Sequence, residues 1–297
     1  MIQLILTYGH AEFRRACIDA IYKNTPKDEV NLIVWDNFSN DRLSEGDVNP
    51  ENTVLLKAEN NYGVSVPINY LIKQVGQELE EDVIYISNDH YLFPGWINPF
   101  LDREEFNVCS PWAPFSLDDI MHGAGGRKQS KLIDFWSPEK IDLHNLTKPE
   151  YLDHPESLEK ITKFLNNIYP EGEESFVETT VLSQEPVSYG NVLWMGCFCV
   201  KKSVLNIVPE MRTDMGLAST EDYDWQCKTR QLPEIKMGVY NHSYAHHFQC
   251  ITGQRVALSM DHEYKEFEST PPDISDKDKQ EMLETIKKIK KIKNNRK

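Results

Sequence analysis

The sequence has no apolar run near the ~20 residues that a membrane-spanning helix needs, so no spanning segment is expected. It has little cysteine, six residues at 17, 109, 197, 199, 227 and 250, and none forms a C-x-x-C pair of the kind that holds zinc. Met1 runs straight into Ile2–Thr7, too short and without the basic start of a signal peptide. A reduced, cytoplasmic protein is the expectation. Positive charge is also in deficit: 32 Lys+Arg face 47 Asp+Glu, a formal net charge of −15, which argues against a chain-wide nucleic-acid surface. Apolar side chains are plentiful. In 297 residues, 40% are hydrophobic, 10% aromatic and six are Trp, which excludes a disordered chain and gives ample material for one large or two small domains.

The first hundred residues alternate strand and helix signals. Ile2–Thr7, Val30–Trp35, Thr53–Leu56 and Val83–Ser87 read as short strands. Between them, Phe13, Cys17, Ala20 and Ile21 recur at helical spacing, as do Ile68, Leu71, Ile72, Val75 and Leu79. That β-α-β-β-α-β order predicts an α/β fold with a mainly parallel central sheet flanked by helices. Ligands in such sheets bind beyond the carboxyl ends of the strands, which directs interest to the polar residues just past each one. Residues 102–190 are irregular, with a helix expected over Ser157–Ile168 and a flexible Gly123–Lys128 loop. Regularity returns with a strand over Asn191–Val200, a helix over Glu221–Arg230 and a strand over Lys236–Asn241. After Pro271-Pro272, Met282, Leu283, Ile286, Ile289 and Ile292 share one helical face, while seven of residues 287–297 are Lys or Arg. Such a helix either lies on an anionic membrane or other phosphates, or packs its apolar stripe on the domain.

Several clusters could carry chemistry. Thr7-Tyr8 and Asp36-Asn37 end the first two strands; the Asp36 carboxylate can accept from a ligand's N–H groups, though alone it is as well explained as a turn former. Asn61-x-Gly63, with Asn69 eight residues past Asn61, opens a helix where glycine permits close backbone approach. Ser87-Asn88-Asp89 follows a strand and could place a carboxylate on a divalent cation, or form a simple Asx turn. Phe93-Pro94-Gly95-Trp96 lies just beyond it. Thr220-Glu221-Asp222-Tyr223-Asp224 starts a helix with more acid than capping requires, so one carboxylate could serve as a general base. His246-His247 ends a strand with two potential metal ligands, or with an ordinary polar pair.

Taken in order, these pieces resemble the family 2 glycosyltransferases, inverting enzymes with a GT-A fold. The resemblance is carried by Leu6-Thr7-Tyr8, Ile33–Ser39 and Asn61-Tyr62-Gly63 with Asn69. It continues through Ile86-Ser87-Asn88-Asp89 with Pro94-Gly95-Trp96, then Gly196-Cys197-Phe198 with Lys201–Leu205, Glu221–Asp224 and His246-His247. It covers residues 2–101 and about 190–252. The first carboxylate of the family's D-x-D is Ser87 here, and residues 102–190 match nothing recognisable. The resemblance implies a nucleotide-sugar-binding half over 1–101, a variable acceptor-side insertion over 102–190, an acceptor and catalytic half over 191–260 and a basic tail over 261–297.

It also implies roles. Thr7, Tyr8, Asp36, Asn61, Gly63, Asn69, Asn88 and Asp89 would bind a nucleoside diphosphate-sugar, foremost a UDP-sugar. Asp89 with His247, and secondarily His246, would hold Mn²⁺ or Mg²⁺. Glu221, Asp224 and Trp96 would face the acceptor, and Asp222 would be the general base. The acceptor is either a surface glycan or lipid-linked saccharide, with the tail touching the inner membrane face, or a hydroxymethylated DNA base. Two other readings use the same sheet: a non-catalytic nucleotide-sugar binder, suggested by Ser87, and a nucleotidyltransferase. The latter is disfavoured because Tyr8-Gly9-His10-Ala11-Glu12 offers one glycine where a glycine-rich basic loop is needed.

Overall fold

A computed structural model describes residues 1–8, 11–39, 42–113, 159, 161–162, 165–166, 169–189, 193, 195–215, 221–247 and 271–296. The Gly123–Lys128 loop, Thr220, Asn191 and most of Ser157–Ile168 lie outside them.

Runs of β-branched and large apolar residues form the strands β1 (Ile2–Thr7), β2 (Leu32–Asp36), β3 (Thr53–Lys57) and β4 (Val83–Ser87). They pair in parallel in the order β3-β2-β1-β4. Beyond β4 the sheet is mixed. β8 (Cys197–Val200) runs antiparallel to β4, and β6 (Val108–Trp112) antiparallel to β8. β9 (Met237–His247) then runs parallel to β6. Short strands β5 (His90–Leu92) and β7 (Val187–Tyr189) pair antiparallel with β9. The expected strands at 191–200 and 236–241 are thus shifted: the first is shorter, and the second runs six residues further, to His247.

Because successive strand residues face opposite sides, both faces of the parallel half are buried under helices. Leu4, Ile33, Trp35, Leu56, Val83 and Tyr85 pack on one side with Ile68, Leu71, Ile72 and Val75. These last belong to α2, which opens as Ser65–Tyr70, passes through a π-helical stretch at Leu71–Gly76 and ends at Gln77–Leu79. Ile5, Val34, Leu55, Ile84 and Ile86 pack on the other side with Cys17, Ile18 and Ile21 of α1 (Ala11–Asn24) and with Trp96, Ile97 and Phe100, the last from α3 (Asn98–Asp102). A third cluster, around Phe93, Tyr169, Phe176 and Tyr244, joins β5 and β9 to the short α4 (Glu173–Phe176). α5 (Glu221–Arg230) fills its predicted span and buries Trp225 against Phe198.

The C-terminal helix α6 (Asp276–Asn295) packs its apolar stripe on the domain, against the edge strand β3 and the end of α2. Met282, Ile286 and Ile289 are buried and Ile292 is partly so, whereas Leu283 faces solvent at 51% exposure. Part of the basic run is bonded within the same molecule: Lys290 pairs with Glu78 and Lys293 with Glu81, and the Arg296 guanidinium donates to Asn31. The stripe that would enter a membrane is already committed to the core. No helix among the described residues is long and apolar enough to cross a membrane.

An Ile289→Ala variant should therefore lose about 2–5 kcal/mol of unfolding free energy in urea titration, while Leu283→Ala stays within about 0.5 kcal/mol of the parent. Two silent substitutions would mean that α6 is not part of the folded core.

Candidate functional site

Four strand ends converge on one edge of the sheet. At β2, the Asp36 carboxylate is fully buried and accepts from the backbone amides of Ser39 (2.8 Å) and Leu43 (3.3 Å). It shapes the turn after β2. Thr7 is likewise buried and donates to the Trp35 carbonyl, while Tyr8 beyond it is half-buried. Asn37 organises the neighbouring loop. Its Nδ2 donates to Asn61 Oδ1 (2.8 Å) and the Gly63 carbonyl (3.1 Å), and its Oδ1 accepts from the Tyr62 amide (3.0 Å). Asn61 Oδ1 also accepts from the Gly63 amide, and Gly63 sits at φ +67°, a conformation that favours glycine. Asn69 does not reach this loop; it makes a two-way bond with the Met211 backbone.

The β4 end carries the densest chemistry. The Ser87 amide donates to the Gly196 carbonyl and the Asn88 amide to the Leu6 carbonyl, so the turn is held from both sides. Asn88 is buried at its apex. Ser87 Oγ donates to Asp89 Oδ1 (2.5 Å) and lies 2.8 Å from His90 Nδ1. A hydroxyl has one proton, so with that proton on Asp89 it must accept from His90 Nδ1–H, which leaves the His90 lone pair on Nε2. His247 Nε2 approaches Asp89 Oδ2 at 3.0 Å. His90 and His247 are directly paired across β5 and β9, and their rings stack at 4.5 Å.

Asp89, His90 and His247 can thus each offer one ligand atom within 4.8 Å of the others. Two donors at right angles on an ion, each ~2.1 Å from it, lie ~3.0 Å apart, so the Asp89–His247 spacing suits neighbouring coordination positions. Electrostatics agree. Burial works to raise the Asp89 carboxyl, but His247 and His90 hold it well below the usual carboxylate range. Burial first, then the charge of His247, push His90 below its ordinary value, which favours the neutral imidazole that metals bind.

His246 does not join this group. Adjacent strand residues face opposite ways, and its Nδ1 meets the Tyr169 hydroxyl (2.8 Å), itself bonded to Tyr244 (2.7 Å). His246 belongs to the aromatic cluster behind the site. Trp96 is also core: it has no exposed surface, and its indole donates to Thr25 Oγ1. Among the α5 acids, Asp224 forms a surface pair with Lys228 (2.6 Å), and Glu221 is buried. Asp222 is half-buried, and burial raises its carboxyl above the usual value.

Tyr85 links the two acidic groups. Its phenol is driven well above its ordinary pKa by burial and then by the charges of Asp89, Glu221 and Asp222. The β4 carboxylate and the α5 acids therefore act on one side chain from one neighbourhood. Its ring continues through Phe198 at 5.5 Å to Trp225 at 5.4 Å, a packed route from β4 to α5. Sequence reasoning noticed Asn37 and His90 among the polar residues past the strands but gave neither a role, and it did not single out Tyr85. His90 was findable, since an imidazole beside Asp89 at a strand end has metal-ligand chemistry; Tyr85 was hidden within an apolar strand.

No protein-family model matches the chain, and no curated protein matches it. Solved glycosyltransferase structures do. S. aureus TarS 1–349 in complex with UDP matches at a TM-score of 0.47 and 12% identity, over 96% of this chain and 70% of that one. GalNAc-T7 with UDP, GalNAc and Mn²⁺ matches at 0.45 and 14%, over 83% and 43%. The mannosyltransferase PcManGT from Pyrobaculum calidifontis with GDP-Man and Mn²⁺ matches at 0.43 and 12%, over 98% and 73%. The match thus spans less than half of GalNAc-T7, and 34% of the TarS chain in its UDP-GlcNAc complex. These likenesses concern the layout of the chain alone; what its site can do follows from its own residues.

His90→Ala and His247→Ala should each weaken Mn²⁺ binding, read by titration calorimetry, by at least about 10-fold. His246→Ala should leave Mn²⁺ affinity within about twofold and instead lower stability, because it cuts a buried hydrogen bond. Equal loss of Mn²⁺ affinity in all three would refute the assignment of opposite faces.

Proposed function

We propose that this chain is a metal-assisted, inverting glycosyltransferase that moves a sugar from a nucleoside diphosphate-sugar to an acceptor hydroxyl. The observation that carries the reading is the Asp89–His90–His247 group at the strand ends. Two imidazoles and one carboxylate suit Mn²⁺ better than Mg²⁺, which prefers oxygen ligands and keeps its water. Bound there, the ion would act as a Lewis acid on the diphosphate leaving group. A UDP-sugar is the donor we infer, from the motif resemblance.

The chain's own residues divide the remaining work. The turn ordered by Asp36, together with Tyr8, borders the nucleoside, and the Asn37-clamped loop at Asn61–Gly63 shapes the donor cleft beside it. Asp222 takes the proton of the acceptor hydroxyl as that oxygen attacks the anomeric carbon from the face opposite the leaving group. A single displacement of this kind inverts the configuration and needs no glycosyl-enzyme intermediate, unlike retaining glycosidases. The raised pKa of Asp222 makes it a better base than an exposed carboxylate. A glycan hydroxyl is the favoured acceptor, because the chain is acidic overall, at a net charge of −15, and Lys287, Lys290 and Lys293 of the α6 basic run, which would meet DNA phosphates, are paired within the molecule.

The test is Mn²⁺-dependent release of UDP from UDP-sugars in the presence of saccharide acceptors. Asp222→Asn should lower turnover about 10²–10⁴-fold with UDP affinity kept; Asp89→Ala should abolish Mn²⁺-dependent donor binding. The acid limb of the parent's pH–rate profile should lie above the ordinary Asp value of 3.8, because activity falls as the raised Asp222 group protonates. Equal, mild losses in both variants would overturn these roles, and donor binding without any release would identify a binding protein.

A further inference from the structure

The Asn61-Tyr62-Gly63 loop is gripped from two directions. On one side stands Asn37, described above. On the other, the Tyr62 side chain, with no exposed surface, reaches the start of α6, more than 200 residues later in sequence. Its hydroxyl donates to Asp278 Oδ2 at 2.6 Å and accepts from the Ser275 amide at 3.1 Å. Asp278 Oδ2 also accepts from the Glu59 amide at 2.9 Å. Ser275 caps α6 through the Asp278 amide and donates its own hydroxyl to Glu59. Apart from that cap, these bonds tie the start of α6 to Glu59 and Tyr62.

Asp278 is unusual for an exposed, charged helix. It is fully buried, and its Oδ1 has no hydrogen-bond partner among the described residues. Burying a carboxylate with an oxygen left over is costly, and helix capping does not require it, since Ser275 already caps. Anchorage does not require it either: Met282, Ile286 and Ile289 already bury the helix. What Asp278 adds is a fixed position for the Tyr62 hydroxyl and the Glu59 amide, hence for the backbone of the loop between them.

We propose that α6 is a brace for the donor loop, with Tyr62 and Asp278 as positioning residues for the nucleotide-sugar; this rests on the glycosyltransferase reading above. Neither residue touches the reacting atoms. Together they keep the loop in its binding-competent shape, so cutting the brace lowers the competent fraction, and apparent affinity falls by the same factor.

The full-length chain is tested as Tyr62→Phe, which keeps the buried ring and removes only the hydroxyl, and as Asp278→Asn, which keeps an acceptor. Lys290→Ala, which breaks a surface pair elsewhere on α6, is the control. Two measurements are made: backbone amide hydrogen exchange without ligand, and UDP binding with Mn²⁺. Tyr62→Phe should speed exchange of the Tyr62 and Gly63 amides relative to the Ile286 amide. It should weaken UDP about 3- to 10-fold, raising donor KM with kcat nearly unchanged. Asp278→Asn should fall between it and the parent, and Lys290→Ala should match the parent. Unchanged UDP affinity and unchanged loop exchange in Tyr62→Phe, with only a lower melting temperature, would overturn the brace. Were the parent to bind no UDP while Tyr62→Phe still loosened the loop, the glycosyltransferase reading would fall, and the donor-positioning role with it.

Discussion

The candidate site is organised around one partly buried negative charge. Asp89 keeps only 16% of its side chain exposed at the end of β4, and three groups hold it: the Ser87 hydroxyl on one oxygen, His247 on the other, and His90 beside the first. An ionised carboxylate in such surroundings is stable only while those partners stay in place. The requirement constrains distant parts of the chain. His90 must come from the strand that follows the β4 turn, and His247 from the far end of β9. The two ends must also lie in register, as the direct β5–β9 pairing of these residues ensures.

β9 does this through its length. Its first half pairs with β6 in the main sheet, the register slips between Pro111 and Trp112, and its last residues pair with β5. Such irregularities bend a strand and re-aim its side chains. Strand alternation then separates the two histidines, with His247 on Asp89 and His246 on Tyr169 and Tyr244. The aromatic cluster behind the sheet consequently holds the Asp89-facing side of β9 through the residue next door. Packing and chemistry are coupled across a single peptide bond.

The parallel half of the sheet was legible because its signal is local: short apolar runs, helical periodicity and polar turns at each strand end. α5 was equally plain from its acidic first turn. The apolar stripe of α6 was visible too, but whether it met lipid or protein was not, since periodicity records only that a face is buried. The decisive facts there were Glu78, Glu81 and Asn31, partners set by tertiary structure. Site residues divided the same way. Asp89 and His247 stood out by type and position, whereas Trp96 and Asn69 looked functional beside motifs and proved to be tied to Thr25 and Met211. Asp36 could not be read either way: in sequence a strand-end carboxylate looks the same whatever its partners, which here include two backbone amides.

Ser87 stands where a two-carboxylate motif would have its first acid, and its contacts argue that the exchange is constructive. A carboxylate there would bring a second negative charge beside Asp89, within hydrogen-bonding range, in a buried site; like charges so close cannot both remain ionised without a bound cation. The serine hydroxyl instead donates to Asp89 and accepts from His90. It fixes the carboxylate's orientation and the imidazole's tautomer in one move. On the proposed reading, His90 would supply the ligand that an acid at position 87 would give, a neutral donor that can be buried without a counter-charge. A site built from one acid and two imidazoles can be assembled before any ion arrives, whereas a pair of acids would depend on the ion to hold it together.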